Sequence, residues 1–79
     1  MVRILFLGPL RDLAGEQERE VAGPLDWAGL LEVVGPDVAE QLRLDRVNVA
    51  CAGRVLADKT TLHAGDGDEI ALLPPVSGG

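Results

Sequence analysis

The sequence predicts an α+β roll: a mixed sheet with one main helix lying across one of its faces. Three features predict it. Short apolar runs stand near both ends of the chain, Val2 to Leu7 and Glu69 to Leu73. One amphipathic helix pattern, Trp27 to Val34, lies between them. A third run, Arg46 to Cys51, alternates apolar and polar residues as a half-buried strand does. A single helix covers only one face of such a sheet, so the opposite face is left over.

The elements follow in order along the 79 residues. "VRILFL" (Val2 to Leu7) is a strand closed by Gly8 and Pro9. "LRDLAG" allows one helical turn that stops at Gly15. Glu18 to Ala22 alternates weakly and suits an edge strand with its polar residues in water. In "DWAGLLEVVG", Asp26 is the expected N-cap, and Trp27, Leu30, Leu31 and Val34 share one face at i, i+3, i+4 and i+7. Gly35-Pro36 ends that helix, and Asp37 with Glu40 has the spacing of a capping box opening a second, short one. Val47, Val49 and Cys51 then point inward, and Arg46, Asn48 and Ala50 outward. Ala52-Gly53 makes a turn, and Arg54 to Leu56 returns as a brief strand. "HAGDGDE" is turn chemistry, and Pro74-Pro75 ends the last strand. Strand, strand, helix, strand, short strand, strand is similar to the order in ubiquitin-like β-grasp domains, where the first and last strands lie parallel at the centre. The expected division is a folded domain over 1–73 and an extended tail over 74–79.

Composition narrows the function. A chain this short buries roughly 60% of the surface it exposes when unfolded, which supports one modest core. Thirteen acidic residues oppose seven basic ones, for a net charge of -6. Nucleic-acid binding rests on neutralising phosphates, and one Phe, one Trp and no Tyr provide no stacking platform. An acidic surface instead suits a protein partner with a basic face. One cysteine excludes an internal disulfide and a CxxC pair. With no apolar run of about 18 residues and no basic leader, no membrane span is expected and a cytoplasmic location is.

Side-chain parity adds a surface. Val2, Ile4 and Phe6 share one face of the first strand; Arg3, Leu5 and Leu7 share the other. On the last strand Ile70 and Leu72 oppose Glu69, Ala71 and Leu73. Arg3 and Glu69 mark the second face as solvent-facing where the strands begin, yet Leu5, Leu7 and Leu73 make it apolar where they end. Either a loop covers these leucines, or they are scattered surface leucines, or they form a protein-docking patch.

The interior offers no catalytic set. "GDGDE" lacks the calcium-loop spacing, so a tight turn is the reading. His63 has no ligand partner at metal spacing and belongs on a surface loop, so no metal site is expected. Cys51 has core parity and reads as an inert thiol, Trp27 as a helix residue facing the sheet. What remains is "LLPPVSGG" at the end of the sequence. A terminal carboxylate becomes reactive once another enzyme activates it, typically as an acyl adenylate. Glycines let such an end enter a narrow channel, and prolines hold it extended.

"VRILFLGPLRDLAG" at the start and "LHAGDGDEIALLPPVSGG" at the end resemble the small subunit of molybdopterin synthase, a ubiquitin-like sulfur carrier. The likeness spans the whole length, and PPVSGG after a GDEI strand is its specific part. Gly-Gly alone also fits thiamine-pathway carriers and ubiquitin-like protein modifiers, which stand as alternatives. One departure is Ala52, where family members often carry Asn.

The resemblance implies that an E1-like adenylyltransferase uses ATP to activate the Gly79 carboxylate, and that a sulfurtransferase supplies sulfur to make a thiocarboxylate. No cofactor is expected on the chain itself. The tail of Pro74, Pro75, Val76, Ser77, Gly78 and Gly79 would then enter the large synthase subunit and pass sulfur to cyclic pyranopterin monophosphate. Most catalytic groups would belong to that subunit, making this chain a co-substrate. By the same likeness, Leu7, Val55 and Leu73 match hydrophobic contacts to it.

Overall fold

The computed structural model describes residues 1–75. A five-stranded mixed sheet is built from β1 (Val2–Phe6), β2 (Glu18–Val21), β4 (Asn48–Cys51), β5 (Arg54–Val55) and β7 (Glu69–Leu73), in the order β2-β1-β7-β4-β5. β1 and β7 pair in parallel, Arg3 with Glu69 and Phe6 with Leu72, and every other pairing in the sheet is antiparallel. The expected central pair of first and last strands is therefore present. Two two-residue strands the sequence did not announce, β3 (Leu25–Asp26) and β6 (His63–Ala64), pair separately. They are too short to show a period. His63 is exposed, as expected, but on this strand instead of a loop.

Three helices cover one face. α1 (Pro9–Ala14) ends where Gly15 turns left-handed at φ 78° and donates its N–H to the Arg11 carbonyl. α2 (Trp27–Val34) starts at Asp26, whose carboxylate accepts from the Gly29 N–H at 2.8 Å, the cap the sequence predicts. Leu30 and Val34 are buried beneath it, whereas Trp27 and Leu31 pack on the core from its margin. α3 (Pro36–Leu42) corrects the expected capping box. Gly35 is its N-cap, Pro36 occupies the first turn, and no side chain caps it. Proline's fixed φ suits the first helical position, so the helix opens before Asp37, which sits within the first turn.

Val38, Ala39 and Leu42 of α3 join Val2, Ile4, Phe6, Val49, Ile70 and Leu72 of the sheet in one core. The core therefore rests on two packed helices where the sequence foresaw one main one. β4 also starts later than expected. Val47 is buried but lies before the strand, held by its N–H to the Leu44 carbonyl at 3.0 Å. At the sheet edge Arg19 departs from its reading as a water-facing residue. Paired with Ile4, it lies on the covered face, its guanidinium 5.3 Å over the Phe6 ring. It donates to the Val33 carbonyl at 2.6 Å and to the Glu16 carboxylate at 2.8 Å. The aliphatic stem thus finishes the core at an open edge, and the head satisfies a carbonyl at the end of α2.

Candidate functional site

The uncovered face of the sheet carries the candidate site. Partners in register share a face, so one row crosses four strands: Leu5 of β1, Ala71 of β7, Ala50 of β4 and Val55 of β5. Two alanines make the middle of that row low, with larger side chains on either side. Val55 is 60% exposed. Leu73 is half-buried and pairs with Asn48 one step nearer the strand ends. Leu7 follows Phe6 and Leu73 follows Leu72, themselves a registered pair, so the two leucines emerge side by side. Leu7 is 40% exposed.

The opposite end of the same face is charged. Arg3 lies 3.6 Å from the Glu18 carboxylate and 3.7 Å from that of Glu69, with all three side chains half-exposed. Glu20 is opposite Arg3 on the edge strand. Such exposed pairs contribute about 0–1 kcal/mol each, so their main effect is to keep that end of the face wet. Along β1 and β7 the face runs from polar to apolar in the direction in which β7 leads out of the sheet, with Glu18 beside Leu5 and Asn48 beside Leu73 at its margins.

The backbone at that exit is specialised. Gly8 has φ 56° and ψ -134°, a combination that glycine reaches without steric penalty. A Cβ placed on Gly8 would lie 3.2 Å from Cγ of Pro74. Gly8 therefore lets the chain after β1 turn sharply and leaves room for Pro74 as it departs. Pro74 is half-buried and Pro75 exposed.

Of the residues the sequence singles out, Leu7, Leu73 and Pro74 meet at one corner, and Val55 stands at the far end of the apolar row. Val76, Ser77, Gly78 and Gly79 lie outside the described residues. Parity had already named Leu5, but the floor alanines Ala50 and Ala71 and the spacer Gly8 were not recognised. Parity placed Ala50 and Ala71 outward, yet which strand neighbours which is a tertiary fact.

Other side chains set the limits of the site. Cys51 is half-buried on the helix-covered side, where partial burial, and then the Asp68 carboxylate, raise its thiol pKa above the ordinary value. The expected turn at "GDGDE" is present: the Asp68 N–H donates to the Gly65 carbonyl, and its carboxylate accepts from the Gly65 N–H at 2.9 Å. Ala52, at the departure noted above, has φ 52°, left-handed backbone in which Asn is less strained than Ala. Among the described residues no helix is long and apolar enough to cross a membrane.

A mixed sheet with parallel central strands, helices on one face only, and an apolar open face leading to the departing chain define a ubiquitin-like β-grasp domain. The family model for the ThiS family matches residues 4–79. The chain belongs to that family, and is a ubiquitin-like sulfur carrier.

Solved structures agree on the fold. Small archaeal modifier protein 1 from Haloferax volcanii is 29% identical, with TM-score 0.68 over 99% of this chain and 98% of that one. Subunit 1 of the molybdopterin-converting factor from Helicobacter pylori, solved in complex with subunit 2, is 27% identical, with TM-score 0.65 over 99% and 97%. The modifier protein 1 of Methanosarcina acetivorans is 25% identical, with TM-score 0.74 over 99% and 95%. No curated protein matches the chain.

Proposed function

We propose that this carrier is the sulfur-donating small subunit of a molybdopterin synthase. In this reading the Gly79 carboxylate is adenylated by an E1-like enzyme at the expense of ATP. A sulfurtransferase then provides the sulfur that replaces the adenylate as a thiocarboxylate. The open face docks on the large subunit through Leu5, Leu7, Val55 and Leu73, and residues 74–79 deliver the sulfur to cyclic pyranopterin monophosphate. The carrying observation is the apolar open face, whose corner at Leu7 and Leu73 lies where Pro74 leaves β7. A surface contiguous with the tail's origin fixes where the tail enters a partner, which lowers the entropy lost on insertion. The Helicobacter pylori relative supports the choice of partner, because it was solved with the second subunit of its own converting factor.

A direct test incubates the protein with the activating enzyme, ATP and a sulfur source, then measures intact mass and binding to the large subunit. The expected result is exchange of one oxygen for sulfur, a tight complex with that subunit, and loss of transfer on deleting Gly79 with the fold intact. Transfer retained without Gly79 would sink the tail mechanism. Loading without binding would point to a carrier for thiamine or another metabolite.

A second reading, a protein modifier joined to lysines through Gly79, is favoured by the likeness to the Haloferax modifier protein. Isopeptide conjugates recovered from cells would establish it. It is compatible with the first, since both begin from the activated terminus.

A further inference from the structure

Lys59 is the one lysine in the sequence; the other six of the seven basic residues are arginines. It stands in a 3-10 turn, Lys59–Thr61, which Asp58 opens by accepting from the Thr60 N–H at 3.0 Å. Its Nζ donates to two backbone carbonyls, those of Leu44 and Val47, the latter at 2.6 Å, and both bonds are partly buried. Those carbonyls bracket the link from α3 to β4, which the Val47 N–H closes on Leu44. One ammonium therefore fastens the helix-to-strand crossing to the turn that leads into β6.

We propose that the folded protein is an acyl donor and not an acyl acceptor, with Lys59 a shielded clamp that an activated terminus does not reach. The inference rests on the function proposed above, in which a terminal acyl group is activated. Self-conjugation would require an amine lone pair to attack the acyl adenylate carbon. The new C–N bond forms as the C–O bond to phosphate breaks, AMP departs with that electron pair, and the nitrogen sheds a proton to water. The amide nitrogen so formed keeps one N–H where the ammonium has three, so Lys59 can no longer bridge both carbonyls. The link from α3 to β4 loses its clamp, with the Leu44 carbonyl keeping only the Val47 N–H.

Arginine does not compete, because its guanidinium stays protonated and has no lone pair to offer. The remaining amine is on Met1, exposed and 3.1 Å from the Asp66 carboxylate. It lies at the start of β1, the end of the parallel pair opposite to the exit of β7. A carrier arranged in this way keeps its activated end for the intended acceptor. If it also modifies other proteins, it is added singly and not as chains grown on Lys59.

Amine labelling decides the point without invoking sulfur chemistry. The folded protein is treated with the N-hydroxysuccinimide ester of acetic acid and mapped by peptide mass, beside the same protein unfolded in guanidinium. Met1 should label in both states, and Lys59 at least about tenfold more slowly when folded, since reaction requires local opening. Arg46→Lys, which places an amine on an exposed position, should label rapidly in the folded state.

Native labelling of Lys59 within about twofold of the unfolded rate, where opening costs nothing, would overturn the proposal. So would wild-type dimers linked through Lys59 after incubation with activating enzyme and ATP, whereas linkage at position 46 of Arg46→Lys alone would support it. An incubation that activates no terminus would sink the proposed function, and the labelling ratio then decides for or against the shielded lysine by itself.

Discussion

Leu72 and Leu73 are neighbours on one strand and face different surroundings. Leu72 is completely buried under the helices with Ile4, Ile70 and Val49. Leu73 lies half-exposed on the other face, beside a floor of alanines. The same residue type serves folding on one side and surface chemistry on the other, and side-chain alternation along β7 makes the division sharp. Large interlocking side chains fill the covered face. On the open face small residues take the centre, which keeps the surface shallow enough for another protein to rest on.

Substitutions on the two faces should separate cleanly. Leu72→Ala should cost about 2–5 kcal/mol, a large fraction of the roughly 5–15 kcal/mol that holds a domain together. Thermal unfolding should register that as a drop of about 4–8 °C per kcal/mol, and a loss under 1 kcal/mol would erase the distinction between the faces. Leu73→Asp should change stability by less than about 1 kcal/mol. On the proposed function it should weaken binding to the large synthase subunit by about tenfold or more, as for an apolar hot-spot contact. Titration calorimetry beside thermal unfolding tests both, and an unfolded variant would assign Leu73 to the core.

A smaller effect belongs to the edge hairpin, which forms the far end of the apolar row. Ala52→Asn should raise stability by roughly 0.5–1 kcal/mol by relieving the left-handed strain at φ 52°. Unchanged unfolding midpoints would show the turn absorbs that strain. Smallest of all is Cys51, at the rim of the covered face. Its raised pKa lowers the thiolate fraction relative to the unfolded chain, so iodoacetamide should alkylate the folded chain more slowly than the unfolded one. Equal rates would mean the rim is open.

Much of this division was readable before any coordinates. Period-two alternation exposed both faces of β1 and β7, and the 3.6-residue spacing from Trp27 to Val34 marked α2, because both patterns are local. Arg19 was not readable, since a charged residue on an edge strand looks solvated until Phe6 and the end of α2 are beside it. The role of Lys59 rests on carbonyls 15 and 12 residues away, with no local trace. The start of α3 was misplaced because an Asp-x-x-Glu pattern competed with Pro36, and proline's geometry prevailed. Leu7, Leu73 and Val55 were each nameable, but the surface between them is floored by Ala50 and Ala71 and depends on strand order.

Pairing β1 with β7 has a consequence for how the molecule comes into being. β7 is the shared neighbour of β1 and β4, so without it the sheet falls into two separate hairpins. Joining segments from opposite ends of the sequence is entropically expensive and comes late relative to local contacts. A chain interrupted before Leu73 therefore has neither a finished core nor a complete open face. The strand that runs out at Leu73 is also the keystone of the sheet, so the covered core and the open face come into being together.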